Sequence, residues 1–151
     1  MADIVDKATR SRMMSGIKGK NTKPELTIRH FLHKAGYRYR LHVKELPGKP
    51  DLVFPKHKAV LFINGCFWHG HNCHLFKIPS TRKDFWQEKI LRNASRDREV
   101  FQKLKDLDWR VGVIWECSLK GRDRLKLADI LTKISLWLNS DDYFLEVRGQ
   151  C

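Results

Sequence analysis

Residues 50–66, PDLVFPKHKAVLFINGC, contain two short apolar runs around which the rest of the chain can be arranged. The runs DLVF at 51–54 and AVLFIN at 59–64 are separated only by PKHK, as expected for neighbouring strands joined by a tight connection. Asp51 follows Pro50 at the start of the first run. The stretch therefore predicts the centre of a sheet with a carboxylate at the mouth of one strand.

The segments on either side of this stretch have the periods of further strands and of helices. They are a helix that ends at Gly36, a strand at 37–43, a long helix from about Thr81 to Leu107, an apolar strand at 109–117 and a last helix at 122–139. The order is helix, three strands, helix, strand, helix. It predicts an α/β fold in which helices flank a central mixed sheet.

The first helix has a clear N-terminal signal, because Thr22 precedes Glu25 by three residues, which is the spacing of a capping box. Its expected buried stripe consists of Leu26, Ile28, Phe31 and Leu32. From the sequence alone, Glu25 is therefore most simply explained as a capping residue.

The chain has 151 residues, which suits one domain, and a formal net charge of +13. Because its Lys and Arg residues are spread along the whole length, a polyanion, and nucleic acid in particular, is the expected partner. No stretch approaches the about 18 apolar residues of a membrane span, and residues 1–14 lack the apolar run of a signal peptide. We expect a cytoplasmic protein without membrane association, with a basic DNA-binding arm at residues 1–23.

Soft metal ligands are concentrated directly after the second apolar run. Cys66, His71 and Cys73 have the spacing C-x4-H-x-C, and Cys117, at the end of a distant strand, is a plausible fourth ligand. Three thiolates and one imidazole make a closed tetrahedral site for structural Zn2+. Spacing alone leaves His69 and His74 as alternatives to His71, and the simplest competing explanation is that the cysteines are merely buried apolar residues.

The Pro50-Asp51 step suggests hydrolysis as well as binding. The order of helix, hairpin strands with an acidic residue after proline, helix and strand resembles that of the restriction-endonuclease-like nucleases, in which such a carboxylate holds Mg2+. Those enzymes usually carry E-x-K on the second strand, whereas FIN at 62–64 has no charge. A different base is needed, and His69 is the nearest candidate, because histidine is the side chain that most often serves as a general base.

A closer resemblance rests on motifs along most of the chain. In order and spacing, TRSRMM, NTKPE, LPGKPDLVF, NGCFWHGHNC, TRKDFWQEKI, RD and WEC resemble the very short patch repair endonucleases, the Vsr-type enzymes that nick DNA beside T:G mismatches. The likeness extends from about Asp6 to Leu136 and does not include the final YFLEVRGQC. It implies a restriction-endonuclease-like single domain spanning residues 1–151.

The resemblance implies roles for particular side chains. Asp51 and the backbone carbonyl of Ile63 would bind catalytic Mg2+, His69 would be the general base, and Glu25 would assist at the water shell of the metal. The implied ligands of structural Zn2+ are Cys66, His71, Cys73 and Cys117. Some members of the family have Thr-His where this chain has Ile63 and Asn64, so any work done by that histidine is absent here or is done by Asn64.

The resemblance also implies which residues contact DNA. Phe67, Trp68 and Trp86 correspond to aromatic side chains that wedge into the duplex at the mismatch, and Met14 corresponds to a residue of the N-terminal arm that enters from the other groove. Of the adjacent pair Phe85 and Trp86, we expect Trp86 to be the exposed one, because neighbouring helix positions diverge by about 100°. The charged face of the long helix, RNASRDREVFQKLK, is expected to be only a solvated face.

The implied function is Mg2+-dependent nicking of one strand beside the T of a T:G mismatch, formed by deamination of 5-methylcytosine, at the bacterial nucleoid. A monomer is expected, with mismatch-repair proteins and a DNA cytosine-5 methyltransferase as functional partners. Two alternatives fit the residues: a restriction-type nuclease that cuts matched sites, and a non-catalytic, zinc-stabilised DNA-binding module.

Overall fold

The computed structural model describes residues 22–150. The predicted basic arm, apart from its last two positions, lies outside the described residues, as do Met14 and Cys151. No helix in the described part of the chain is long and apolar enough to cross a membrane.

The described residues form a mixed five-stranded sheet with three α-helices. The elements are α1 (Lys23–Lys34), β1 (Arg40–Leu41), β2 (Leu52–Phe54), β3 (Ala59–Asn64), α2 (Lys83–Asp106), β4 (Arg110–Trp115), α3 (Leu127–Leu138) and β5 (Phe144–Val147). The strands lie side by side in chain order, with β1, β2 and β3 antiparallel and β3, β4 and β5 parallel. The expected α/β class with a mixed sheet is confirmed.

Helices cover both faces of the sheet. Successive side chains of a strand point to opposite faces, so the buried strands present apolar side chains to helices on both faces. On β3, Leu61 packs in a cluster with residues of α1 and α3, whereas Val60 and Phe62 pack with Leu104 of α2. Five of the six residues of β3 are buried, as expected for a central strand that is covered on both sides. The result is a three-layer arrangement with β3 at its centre.

The parallel pairing of β3 and β4 positions the functional residues. Asn64 at the end of β3 is in register with Trp115 at the end of β4, so the segments that follow both strands emerge at the same edge of the sheet. One of these segments contains Cys66 and the other contains Cys117. Two distant parts of the sequence are thereby brought together.

The structure corrects four of the expected elements. The strand predicted at 37–43 is limited to Arg40 and Leu41, which are exposed. The long helix begins at Lys83, because Arg82 adopts a left-handed conformation (φ 57°) and supplies no side-chain cap. The strand at 109–117 ends at Trp115 and is followed by a short 3-10 turn, and the last helix begins at Leu127.

Strand β5 was not predicted, because FLEV is short and its first and third residues are exposed. The buried stripe of α1 also differs from the prediction. Leu26 is 47% exposed, whereas Glu25 is almost completely buried. Glu25 lies three residues before Ile28 and seven before Leu32, so a carboxylate takes an inward position of the helix.

Candidate active site and metal centre

The four predicted soft ligands lie together beyond the ends of β3 and β4. The ligand atoms of Cys66, His71, Cys73 and Cys117 are all within 4.8 Å of one another. His71 Nδ1 is 3.5 Å from Cys66 Sγ and 3.6 Å from Cys117 Sγ. In a tetrahedral zinc site with ordinary bond lengths, sulfur and nitrogen ligands are separated by about 3.6 Å. The geometry of the four side chains therefore fits a zinc ion.

The protonation chemistry of this cluster also fits a divalent cation. Burial raises the pKa of the Cys66 and Cys117 thiols, so these buried groups need a nearby positive charge to become thiolates. Burial lowers the pKa of His71, which favours the neutral imidazole that binds metals. The His71 ring is held in place by stacking on Trp115, with the ring centroids 4.0 Å apart.

The alternative histidines have other partners. His69 Nδ1 lies 2.5 Å from Asp97 Oδ2, and His74 Nδ1 lies 2.8 Å from Asp123 Oδ2. Of the three histidines that spacing leaves open, His71 is the one grouped with the cysteines.

The C-terminal segment contributes to this centre, although nothing in its sequence indicated it. The Gly149 N–H donates to Cys117 Sγ at 3.3 Å, and Arg148 donates to the carbonyl of Asn72 at 2.8 Å. A Cβ on Gly149 would lie 2.5 Å from the carbonyl oxygen of Cys117, so only glycine allows this approach.

A second group of possible ligands consists of Glu25, His42 and Asp51, whose ligand atoms are also within 4.8 Å of one another. Asp51 Oδ2 accepts a 2.7 Å hydrogen bond from the Ile63 N–H. Glu25 Oε2 lies 2.7 Å from His42 Nε2 and 3.2 Å from Arg29 Nη1. Both carboxylates are buried, so the protein holds two acidic groups close together beside β3.

Burial raises the pKa of Asp51 to about 7, and the neighbouring Glu25 carboxylate adds to the increase, whereas the hydrogen bond from Ile63 opposes it. Ionising Asp51 in this buried position costs free energy, and such a cost is typical of functional sites, here one that could bind a cation.

The backbone of Ile63 faces the same cluster. In a strand, the N–H and C=O of one residue point to the same side, and the Ile63 N–H points at Asp51. The Ile63 carbonyl is therefore directed to the same side of β3 as the Asp51 carboxylate.

His42 was not predicted to be a site residue. It was included in the predicted strand at 37–43, but it lies beyond β1 with a left-handed backbone (φ 48°). Its N–H donates to the carbonyl of Asp51 at 3.2 Å. The only available signal was the residue type, and the tertiary structure brings it to the carboxylates.

His69 and Asp97 form a second pair, and both side chains are about one quarter exposed. Because Nδ1 of His69 is occupied by Asp97, Nε2 is the nitrogen available to a ligand. Asp97 lies on the charged face of α2, which was expected to be merely solvated, so that expectation is wrong at this position.

Asp51, Ile63, Asn64, His69 and Asp97 line one cleft of about 800 Å³. The cationic side chains around the same cleft are Lys49, Lys89, Arg96 and Lys120. A basic cleft that contains a buried carboxylate and a carboxylate-bound histidine suits a phosphodiester substrate.

Phe67 and Trp68 line this cleft, and Trp86 packs against both of them. The ring centroids of Phe67 and Trp86 are 5.5 Å apart, those of Phe67 and Trp68 are 5.1 Å apart, and those of Trp68 and Trp86 are 6.0 Å apart. Lys89 Nζ lies 5.6 Å from the centroid of the Trp68 ring. Contrary to expectation, Phe85 is the more exposed member of its pair, and Trp86 is half-buried because it packs against Phe67 and Trp68.

The mixed α/β fold, the two groups of side chains that could hold a metal ion and the cleft lined by cationic side chains are together consistent with the endonuclease class. A family model described as DNA mismatch endonuclease Vsr matches residues 2–75. The chain is 43% identical to the DNA mismatch endonuclease Vsr of Escherichia coli K12 over 150 residues, which cover 99% of this chain and 96% of that protein. The chain belongs to this Vsr family.

Two nicking enzymes are also similar to the chain. The Type II nicking enzyme V.XorIIP of Xanthomonas oryzae pv. oryzae is 44% identical over 133 residues, covering 87% of this chain and 98% of that protein. The Type II nicking enzyme V.NmeAIP of Neisseria meningitidis serogroup A is 46% identical over 122 residues, with coverages of 81% and 87%.

Proposed function

We propose that this chain is a Mg2+-dependent DNA mismatch endonuclease. It nicks one strand beside the T of a T:G mismatch that arises from 5-methylcytosine deamination, and thereby initiates very short patch repair. The observation that carries the proposal is that Asp51 and the His69–Asp97 pair line the same basic cleft as the aromatic side chains Phe67 and Trp68. Membership of the Vsr family and the names of the related nicking enzymes support it.

Asp51 and the Ile63 carbonyl are the proposed Mg2+ ligands, with Glu25 beside them as a partner of the water shell. When bound, Mg2+ supplies charge stabilisation to the phosphate and lowers the pKa of water. Mg2+ prefers hard oxygen ligands. Asp51 and Glu25 are both buried, so a bound cation would compensate for negative charge that is kept away from water.

His69 is the proposed general base. Its Nδ1 is bonded to the Asp97 carboxylate at 2.5 Å, so Nε2 accepts the proton of the attacking water. Asp97 fixes the orientation of the ring and stabilises the imidazolium that proton transfer produces. This role for Asp97 is proposed from its contact with His69, since the sequence alone did not indicate it.

Phe67, Trp68 and Trp86 are the proposed wedge that separates a base step. Opening a step costs a few kcal/mol and costs least at a mismatch, which is poorly paired, so part of the selectivity follows from deformability. Met14, which lies outside the described residues, is proposed to enter from the opposite groove. Lys49, Lys89 and Arg96 are proposed to contact the backbone phosphates, whereas Lys120 pairs with Glu116 at 3.0 Å.

In this proposal residues 1–151 form one restriction-endonuclease-like domain that acts as a monomer, since a single nick needs one active site. Cys66, His71, Cys73 and Cys117 bind a structural Zn2+. Mismatch-repair proteins and a DNA cytosine-5 methyltransferase are the proposed functional partners.

The test is strand-specific cleavage of T:G and matched T:A duplexes with Mg2+, with the flanking bases randomised. We expect a nick beside the mismatched T only, which disappears in Asp51→Asn and persists in Asp141→Asn, a change at an exposed carboxylate in the loop before β5. Equal cleavage of both duplexes would support the restriction-type alternative. Binding without Asp51-dependent cleavage would support the non-catalytic module.

A further inference from the structure

The proposed catalytic site contains a nitrogen donor that Mg2+ chemistry does not require. His42 Nε2 lies 2.7 Å from Glu25 Oε2, and its ligand atom is within 4.8 Å of those of Glu25 and Asp51. Mg2+ prefers oxygen ligands and retains several waters, whereas imidazole nitrogen favours transition metals. The presence of His42 therefore bears on which cation the site selects.

The backbone around His42 holds the imidazole at this position. The residue has a left-handed conformation (φ 48°), which is uncommon for a residue with a side chain. Its N–H is bonded to the carbonyl of Asp51, so the turn that presents the ring is attached directly to the residue proposed to bind metal.

The simplest competing explanation is an ion pair in which His42 only neutralises Glu25. However, Glu25 already has a cationic partner, since Arg29 Nη1 lies 3.2 Å from the same Oε2 atom. The 2.7 Å contact between His42 and Glu25 is a hydrogen bond, and a cation that replaced its proton would also be within reach of Asp51, because the ligand atoms of all three residues lie within 4.8 Å of one another.

We propose that His42, Glu25 and Asp51 bind one divalent cation directly, and that the His42 nitrogen lets a site that works with Mg2+ bind first-row transition metals such as Mn2+ more tightly. This inference rests on the proposed function, in which Asp51 binds the catalytic cation. It replaces the water-shell role of Glu25 by direct binding and adds a nitrogen ligand to the oxygen ligands of the cation.

The test is pulsed electron paramagnetic resonance of Mn2+ bound to the full-length protein whose cysteine site has first been loaded with zinc. The expected result is a 14N coupling to Mn2+ in the unmodified protein, which reports a directly bound imidazole. The coupling is lost in His42→Gln, whose amide still reaches Glu25, and is retained in His30→Gln, a change at an exposed position of α1.

Affinity gives a second readout. Even changes among the outer partners of metal ligands alter metal affinity by about tenfold or more, so His42→Gln is expected to weaken Mn2+ binding by at least about tenfold. Mg2+ affinity, measured by competition with Mn2+, is expected to fall much less.

The outcomes separate this inference from the proposed function. If Mn2+ binds in an Asp51-dependent manner without 14N coupling, or if the coupling survives in His42→Gln, the role of His42 as a ligand is overturned and the proposed function stands. If neither Mn2+ nor Mg2+ binds in an Asp51-dependent manner, both are overturned.

Discussion

Replacing Asp51 by asparagine tests whether the buried Asp51 carboxylate destabilises the folded protein and is also required for cleavage. Asn is similar in size to Asp, and its side-chain oxygen can still accept the hydrogen bond from the Ile63 N–H. The substitution removes a negative charge that is buried next to Glu25. We expect it to abolish Mg2+-dependent cleavage and, in Mg2+-free buffer at pH 8, to raise the free energy of unfolding.

The magnitude follows from the pKa of Asp51, which burial raises from 3.8 to about 7. Between these values the unfolded chain has lost the proton while the folded protein keeps it, so stability falls as the pH rises. At about 1.4 kcal/mol per pH unit, the penalty reaches about 4 kcal/mol above pH 7 and is absent below about pH 4. For a chain of this size, the penalty corresponds to a difference of about 10 °C in melting temperature.

The assay is thermal and denaturant unfolding of both proteins from pH 4 to pH 8, with the zinc site loaded and Mg2+ absent. The difference in stability is expected to be near zero at pH 4 and to grow with pH in favour of Asp51→Asn. Adding Mg2+ at pH 8 should stabilise the unmodified protein and not the variant. Asp141→Asn is the control for loss of one negative charge from a strongly basic chain.

An Asp51→Asn protein that is equally or less stable at pH 8 would refute this reasoning. It would mean that the ionised Asp51 carboxylate does not lower the free energy of unfolding. The electrostatic argument for a cation at this position would then fail.

Three further predictions concern other parts of the cleft. Asp97→Asn should lower the single-turnover nicking rate by about 100-fold or more while DNA affinity, measured by fluorescence anisotropy, is unchanged, because the His69 ring loses its carboxylate partner. Cys117→Ala should release the zinc, measured by elemental analysis, and lower the melting temperature, because it removes a buried ligand. Trp86→Ala should reduce the preference for T:G over T:A duplexes more than Phe85→Ala does, because Trp86 packs against both Phe67 and Trp68; equal effects would contradict this assignment.

The sequence predicted the central strands well because their apolar runs are buried on both faces. AVLFIN forms β3 with the expected bounds, and most of DLVF forms β2. In contrast, β5 was missed because FLEV is half-exposed and depends on pairing with β4. A short strand of this kind has no sequence signal of its own and is stabilised by tertiary contacts.

The grouping of the four soft ligands was likewise predicted, since three of them are close in sequence. His42 and Asp97 could not be found in the same way. One lies in a turn whose left-handed conformation has no sequence signal here, and the other lies on a charged helix face that resembles any solvated face. Their importance arises from neighbours that only the fold supplies.

The metal centre has a mechanical consequence for the cleft. Cys73 and Cys117 flank the whole of α2 in sequence, yet their ligand atoms lie within 4.8 Å of each other. An ion held by both residues fastens the two ends of the segment that carries Trp86 and Asp97. Trp86 of the proposed wedge and the carboxylate partner of His69 are thus anchored at one point. A chelator that strips this ion would loosen one wall of the cleft as a unit and leave the opposite wall, with Asp51, in place.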